Sequence, residues 1–270
     1  MKGLLTKIFW EVRWPVLLFG IGFAAIMSIL TAVLPKVLGD INRVFERLPL
    51  VKPLITALLG VDPGNTLSAQ MTQAFLWVHP TVLSVLWAHE IMYCTRMPAG
   101  EIDRGTVDFL LGLPVSRWKL YAAETIGWLV SGLFIIIFGI SGHIITARQL
   151  AEDIQPTPAA TAIVVCNLFS VYVAVGSIAL LISSFSNRRN RAIGGVFAIL
   201  LFSFLLNFLA QFWEPAKSVA WLSVMEYYRP AIVIQSGQFP ATDITILLAI
   251  ASVCWIAGGV IFCRRSICTV

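Results

Sequence analysis

The chain has 270 residues, 58% of them hydrophobic and 12% charged, with a mean hydropathy of +0.86. An ordinary soluble domain carries about 25% charged residues, so a soluble enzyme, a disordered segment and a small disulfide scaffold are excluded, and a polytopic membrane protein is left. The formal charge of +5 does not describe a nucleic-acid-binding face, because the basic residues cluster in short segments between apolar runs, where they set orientation.

At the start of the chain, Leu4, Leu5, Ile8, Phe9 and Val12 fall on one helical face, with Lys7 and Glu11 elsewhere. This predicts an interfacial helix over 1–14 lying on the inner membrane surface, with Trp10 and Trp14 at headgroup level. Pro15–Leu34 is longer than the ~7–15-residue core of a signal peptide and reads as a retained first crossing. The segment Pro35–Gln73 places Val37, Leu38, Ile41, Val44, Phe45 and Leu48 at helical spacing among charges. It predicts short amphipathic helices at the outer interface, interrupted by Pro49, Pro53 and the turn Asp62-Pro63-Gly64-Asn65.

A bilayer core takes roughly 20 apolar residues as helix. Ala74–Thr95, Leu120–Ala147, Pro158–Phe185, Ala192–Trp213 and Ile244–Cys263 each fit one crossing, which makes six with the first and puts both termini on one side. Counting basic residues on that side gives twelve of the 19, so the termini are expected in the cytoplasm and the chain in the cytoplasmic (inner) membrane. The sharpest signal is Arg188-Arg189-Asn190-Arg191, assigned to orientation and lipid-headgroup attraction. Glu214–Asp243, with Trp221, Tyr227 and Tyr228, lies in the headgroup region or dips back into protein. The expected fold is all-α, in a single transmembrane domain.

No G-x-x-x-x-G-K-[ST] occurs, so no nucleotide phosphate is cradled in that manner. His89-Glu90 is not followed by a histidine at the spacing a zinc protease needs, and no two of the five cysteines are spaced C-x-x-C. No metal, cofactor or catalytic residue is therefore expected in this chain. Candidate intramembrane polar residues are His79, Glu90, Glu124, Asn167 and Asn207. The carboxylates either pair with Arg96 or Arg117 or serve transport, since an unpaired charge in a bilayer is costly. His79 and Glu90, eleven positions apart, would share a helical face roughly 16 Å apart, too far for one metal ion. The asparagines are expected to join helices, and Gly20, Gly22, Gly258 and Gly259 to allow close packing.

The inner segment between the second and third runs, Arg96–Lys119, is the informative one. Ile102, Val107, Phe109, Leu110, Leu111 and Leu113 stand beside Glu101, Asp103, Arg104 and Asp108, with Gly105, Gly112 and Pro114 as punctuation. The pattern predicts a short amphipathic helix within 99–113, with Ser116 or Pro114 opening the next helix. Its apolar side needs the bilayer surface, the protein's own helices or a separate subunit.

The stretch Glu101 to Arg117, read as E-x-x-x-G-T-x-D-x-L-L-x-x-P-V-S-R, resembles the first intracellular loop of ABC type-2 transporter permeases. Leu222–Pro230 and Phe262–Ile267 are similar to further pieces of that pattern, except that Ser266 stands where the family has Asp. The resemblance implies a transmembrane permease subunit, not itself an enzyme, that pairs with a second six-span subunit, more simply a homodimer. Two copies of a cytoplasmic ABC ATPase would bind ATP and Mg2+ and drive export. The loop would be a coupling helix, with Phe109, Leu110 and Leu111 as apolar contacts and Glu101 and Asp108 as polar ones. Gly105 would allow close approach, and Pro114 and Arg117 would fix the turn into the third span. The alternative is a self-sufficient secondary transporter or channel using His79, Glu90 or Glu124 as a proton relay.

Overall fold

Backbone groups inside a bilayer have no water to bond, so long apolar runs satisfy them as helices. The structure, a computed structural model, describes residues 2–39, 51–60 and 69–266, and no strand occurs among them. In chain order the helices are α1 (Lys2–Gly39), α2 (Val51–Leu59), α3 (Ala69–Val78), α4 (Pro80–Cys94), α5 (Val107–Leu111), α6 (Arg117–Ala147), α7 (Pro158–Phe185), α8 (Arg189–Leu209), α9 (Pro230–Ser236) and α10 (Ala241–Arg264), with single helical turns between some of them. Among the described residues α1, α6, α7, α8 and α10 are long and apolar enough to cross a membrane, which is five helices where six were expected.

The missing one is the run over 74–95, which is broken at His79–Pro80 into α3 and α4. Pro80 has no N–H to give the Leu76 carbonyl, and the His79 amide takes that role at 3.3 Å. His79 itself is extended (φ −58°, ψ 129°), as a residue before proline prefers. Its Nδ1 lies 3.3 Å from the Thr81 amide and 2.7 Å from the Thr81 hydroxyl, so the side chain caps α4. The Trp77 carbonyl receives the Tyr228 hydroxyl at 3.1 Å. His79 therefore stands at the N-cap of the helix that carries Glu90, and the break separates both from α3.

A second difference lies at the start. No separate interfacial helix forms over 1–14, because α1 continues through Pro15 without interruption. Only the Glu11 carbonyl loses its intrahelical donor there, and tertiary packing outweighs that loss. Ile8 and Val12 of the predicted apolar face are buried in the core, while Trp10 and Trp14 remain exposed. Most of the amphipathic pattern expected in 37–48 falls outside the described residues. In α2, Ile55, Ala57 and Leu59 are buried, and Pro53 sits in the first turn, where its lost donor costs little.

The bundle is organised by two long pairings, α1 along α6 and α10 along α7, with α4 against α7, α1 and α6. Small residues set how close these approach. A Cβ at Gly142 of α6 would come within 2.4 Å of the Ala24 carbonyl oxygen of α1, and one at Gly258 of α10 within 3.1 Å of the Leu181 Cα of α7. Gly22 differs from its expected packing role, since nothing lies within 4 Å of where its Cβ would be.

At the end of the bundle opposite the basic segments, the chain after α8 turns inward. Ser223 is fully buried, its Oγ donating to the Ser203 carbonyl at 2.8 Å while the Val224 amide donates to Ser203 Oγ at 2.8 Å. Helix α9 then packs on α3 and α7. Of the two possibilities for 214–243, the described contacts are those of a segment dipping into protein.

The Gly142 contact is with backbone, so no side-chain rotation relieves it. Gly142→Ala is expected to lower stability by about 1–3 kcal/mol, whereas Gly22→Ala is expected to be neutral or slightly stabilising. Thermal unfolding of the purified protein in detergent separates the two.

Candidate functional site

The segment that leaves α4 is held from below by arginines. The Arg96 guanidinium forks onto Glu124 of α6 at 2.8 and 3.0 Å and reaches Glu11 of α1 at 2.9 Å. Paired, the Glu124 carboxylate tolerates burial beside the core. Of the two pairings expected for the carboxylates, Arg96–Glu124 forms, while Glu90 meets neither arginine.

Three further arginines satisfy carbonyls that helix ends leave without donors. Arg189 donates to the Met92 carbonyl in the last turn of α4 at 3.0 Å. Arg265 donates to the Ser184 and Ser186 carbonyls at the end of α7, at 2.9 and 3.1 Å. Arg117 donates to the Phe262 and Arg265 carbonyls at the end of α10, at 3.2 and 2.6 Å. A positive side chain at a helix C-terminus also meets the negative end of the helix dipole. Arg117, expected to fix the turn into α6, bonds the end of α10, and α6 is opened by the Ser116 cap on the Lys119 amide.

Within the loop, Met97 through Gly100 are buried, and the Ala99 amide donates to Ser183 Oγ of α7 at 3.2 Å. Within 99–113 the chain forms a turn at Glu101–Asp103 and the five-residue α5, which ends before Pro114, the two separated at Gly105. Gly105 has φ +68°, a conformation in which glycine carries no Cβ penalty. Glu101 ties the two pieces together, accepting from Arg104 and from the Thr106 hydroxyl at 2.5 Å each, while the Thr106 amide donates to the Glu101 carbonyl at 3.0 Å. Its carboxylate is therefore engaged inside the loop. Asp103 reaches the other way, accepting from the Arg189 amide at the start of α8 at 3.2 Å.

This frame decides what α5 shows to the outside. Val107 is buried, and Leu110 and Leu111 are partly buried against the core. Phe109 is 81% exposed and Leu113 45%. Asp108 is exposed, with its carbonyl accepting from the Gly112 amide, and Pro114 follows as an exposed stop. Of the three apolar residues expected to face a partner, Phe109 alone is fully presented. A Phe left in water forgoes about 1.5–3 kcal/mol of burial.

The other polar candidates are not gathered into one site. His79 caps α4, and Glu124 is held by Arg96 at the basic end. The Asn167 amide donates to the Tyr227 carbonyl at 3.1 Å and that of Asn207 to Glu226 at 2.9 Å, so both fasten helices to the inward-turning segment. Glu90 is 1% exposed, faces the Gly176 backbone and leaves Oε1 without a hydrogen-bond partner among the described residues. Its neighbour His89 is fully engaged, with Ser131 Oγ 3.2 Å from Nε2 and the Tyr172 hydroxyl 3.1 Å from Nδ1. No cluster of metal-ligating side chains occurs among the described residues.

Arg96, Asp103, Arg189 and Arg265 were not singled out from the sequence as site residues. Their sign and position were visible, but their partners are mostly backbone carbonyls and amides, which carry no residue-specific signal.

Residues 91–266 match the family described as ABC-2 family transporter protein. No curated protein and no solved structure matches the chain.

Removing one partner of a buried ion pair strands the other charge. Arg96→Met is expected to cost about 3–5 kcal/mol, and Arg96→Met with Glu124→Met to recover most of it. Melting temperatures of both variants in the same detergent check this.

Proposed function

The chain belongs to the ABC-2 transporter family, and from that premise we propose that it couples ATP hydrolysis on a separate cytoplasmic ATPase to export of a substrate. As a member of that family it is a membrane subunit of an ABC transporter and a transport component. The basic end of the bundle faces the cytoplasm, with both termini there, in the inner membrane. The broken pair α3–α4 is the sixth crossing: its 10 and 15 helical residues extend about 38 Å if aligned, enough for a ~30 Å core with some tilt. Two such subunits, most simply identical, work with two ATPase copies, which supply the ATP and Mg2+ sites.

The observation that carries this reading is the exposure of Phe109 on a loop whose Val107, Leu110 and Leu111 turn inward. A chain without a phosphate-binding loop draws on ATP only through a contact whose strength differs between two states of a partner. Phe109, Leu113 and Asp108 form the outward surface of that contact. Val107, Leu110 and Leu111 seat it on the bundle, and Glu101 and Gly105 shape it. Through Asp103 and Arg189 a displacement of the loop reaches the end of α4 and the start of α8 together. Pro114 and Arg117 pass it to α6 and α10. The proton-relay alternative has less support, because His79 and Glu124 are occupied as a cap and as an ion-pair partner.

Phe109→Asp is expected to reduce co-purification of the ATPase and ATP-dependent transport by about 30-fold or more, the effect of losing a central aromatic contact. Phe109→Leu is expected to retain most of both. If Phe109→Asp binds its ATPase and transports like the parent protein, the assignment of the loop fails.

A further inference from the structure

Helices α1 and α6 leave an open groove on the outside of the bundle. It encloses about 410 Å³ and is lined chiefly by Val12, Val16 and Leu17 of α1 and Val130 and Phe134 of α6, with Arg13 among the residues nearest the basic end. The Arg13 guanidinium carbon lies 3.7 Å from the centroid of the Trp10 ring and 5.6 Å from that of Trp14. Arg13 makes no ion pair among the described residues, and the carboxylate nearest to it in sequence, Glu11, is taken by Lys7 and Arg96. A guanidinium stacked on indole keeps its N–H edges free for a forked contact with phosphate.

Two other open grooves make the contrast. One lies between α1 and α4, about 370 Å³, and one among α6, α7 and α10, about 400 Å³, and neither has a charged side chain in its lining. The α1–α6 groove alone of these joins an apolar channel to an unpaired cation. From Arg13 to Leu17 the groove runs about 6 Å along α1, which covers the headgroup-side part of the ~15 Å depth of one leaflet's hydrocarbon. The indoles of Trp10 and Trp14 belong at headgroup level, which sets Arg13 at the depth of phosphates.

We propose that this groove is a binding site for an acidic glycerophospholipid, with one acyl chain along Val16, Leu17, Val130 and Phe134 and the phosphate on Arg13. The inference goes beyond the transport reading and requires only that the chain lies in a bilayer. An acidic lipid is favoured over a zwitterionic one because no carboxylate among the described residues neutralises Arg13, so its field acts on the headgroup.

The test uses the full chain in nanodiscs containing equal phosphatidylglycerol and phosphatidylcholine, followed by re-extraction and native mass spectrometry of retained lipid. Phosphatidylglycerol is expected to be retained over phosphatidylcholine. Arg13→Gln should lower its retention about five-fold, and Val130→Trp, a bulky change at a half-exposed position, should displace it while the melting temperature holds. Equal retention of the two lipids by the parent chain overturns the proposal, as does unchanged retention in either variant. A disulfide between two copies carrying Val130→Cys also overturns it, because a second copy would then fill the groove.

Discussion

A helix that ends in a membrane protein leaves its last carbonyls without donors, and here three such ends are satisfied by arginines from other elements. Arg189 closes α4, Arg265 closes α7 and Arg117 closes α10. Because each arginine belongs to a different element from the end it serves, satisfying the backbone also fastens the helices to one another. Arg96, on Glu124 and Glu11, adds α6 and α1 to the same layer. The loop from Arg96 to Ser116 is built on this layer, so its shape depends on the helix ends being closed. Phe109 points outward because Val107, Leu110 and Leu111 are already committed to the bundle.

Several polar groups deeper in the bundle are also matched locally, although Tyr93 Oη, Trp128 Nε1, His143 Nε2 and Asn167 Oδ1 have no hydrogen-bond partner among the described residues. His89 is matched by Ser131 and Tyr172, and His143 by the Thr31 hydroxyl 2.7 Å from its Nδ1. Asn167, Asn207 and the Ser203–Ser223 pair all hold the inward-turning segment between α8 and α10 in place. In hydrocarbon such bonds compete with no water, and their chief effect is to fix register and approach. Glu90, with one oxygen unmatched, is the exception among the carboxylates described.

How much of this was legible in the sequence depends on what kind of partner each residue meets. Long apolar runs announce themselves by composition alone, so α1, α6, α7, α8 and α10 could be located by hydropathy. The break at His79–Pro80 was also written in the chain, as a proline after a capping residue, but a count of apolar residues passes over it. The opposite error arose at Pro15, where an amphipathic stretch before a proline suggested a separate surface helix although packing against α6 keeps α1 continuous. The loop motif was recognisable, yet which of its leucines faces outward was not, because burial of Leu110 and Leu111 depends on helices far away in sequence. The arginines at the basic end were read through their charge, as markers of orientation. Apart from Arg96, whose carboxylate pairing was expected, the partners of Arg117, Arg189 and Arg265 include peptide oxygens, which every residue possesses.

The interruption between α3 and α4 has a mechanical corollary. Its halves answer to different neighbours: α3 to α9 and α1, α4 to Arg189, α7 and the residues around Met97. A rigid rod spanning the same distance would convey any tilt at its foot undiminished to its head. An articulated one, splinted by the Tyr228 hydroxyl on Trp77, lets the foot swivel by an amount that the head follows only as far as that splint holds.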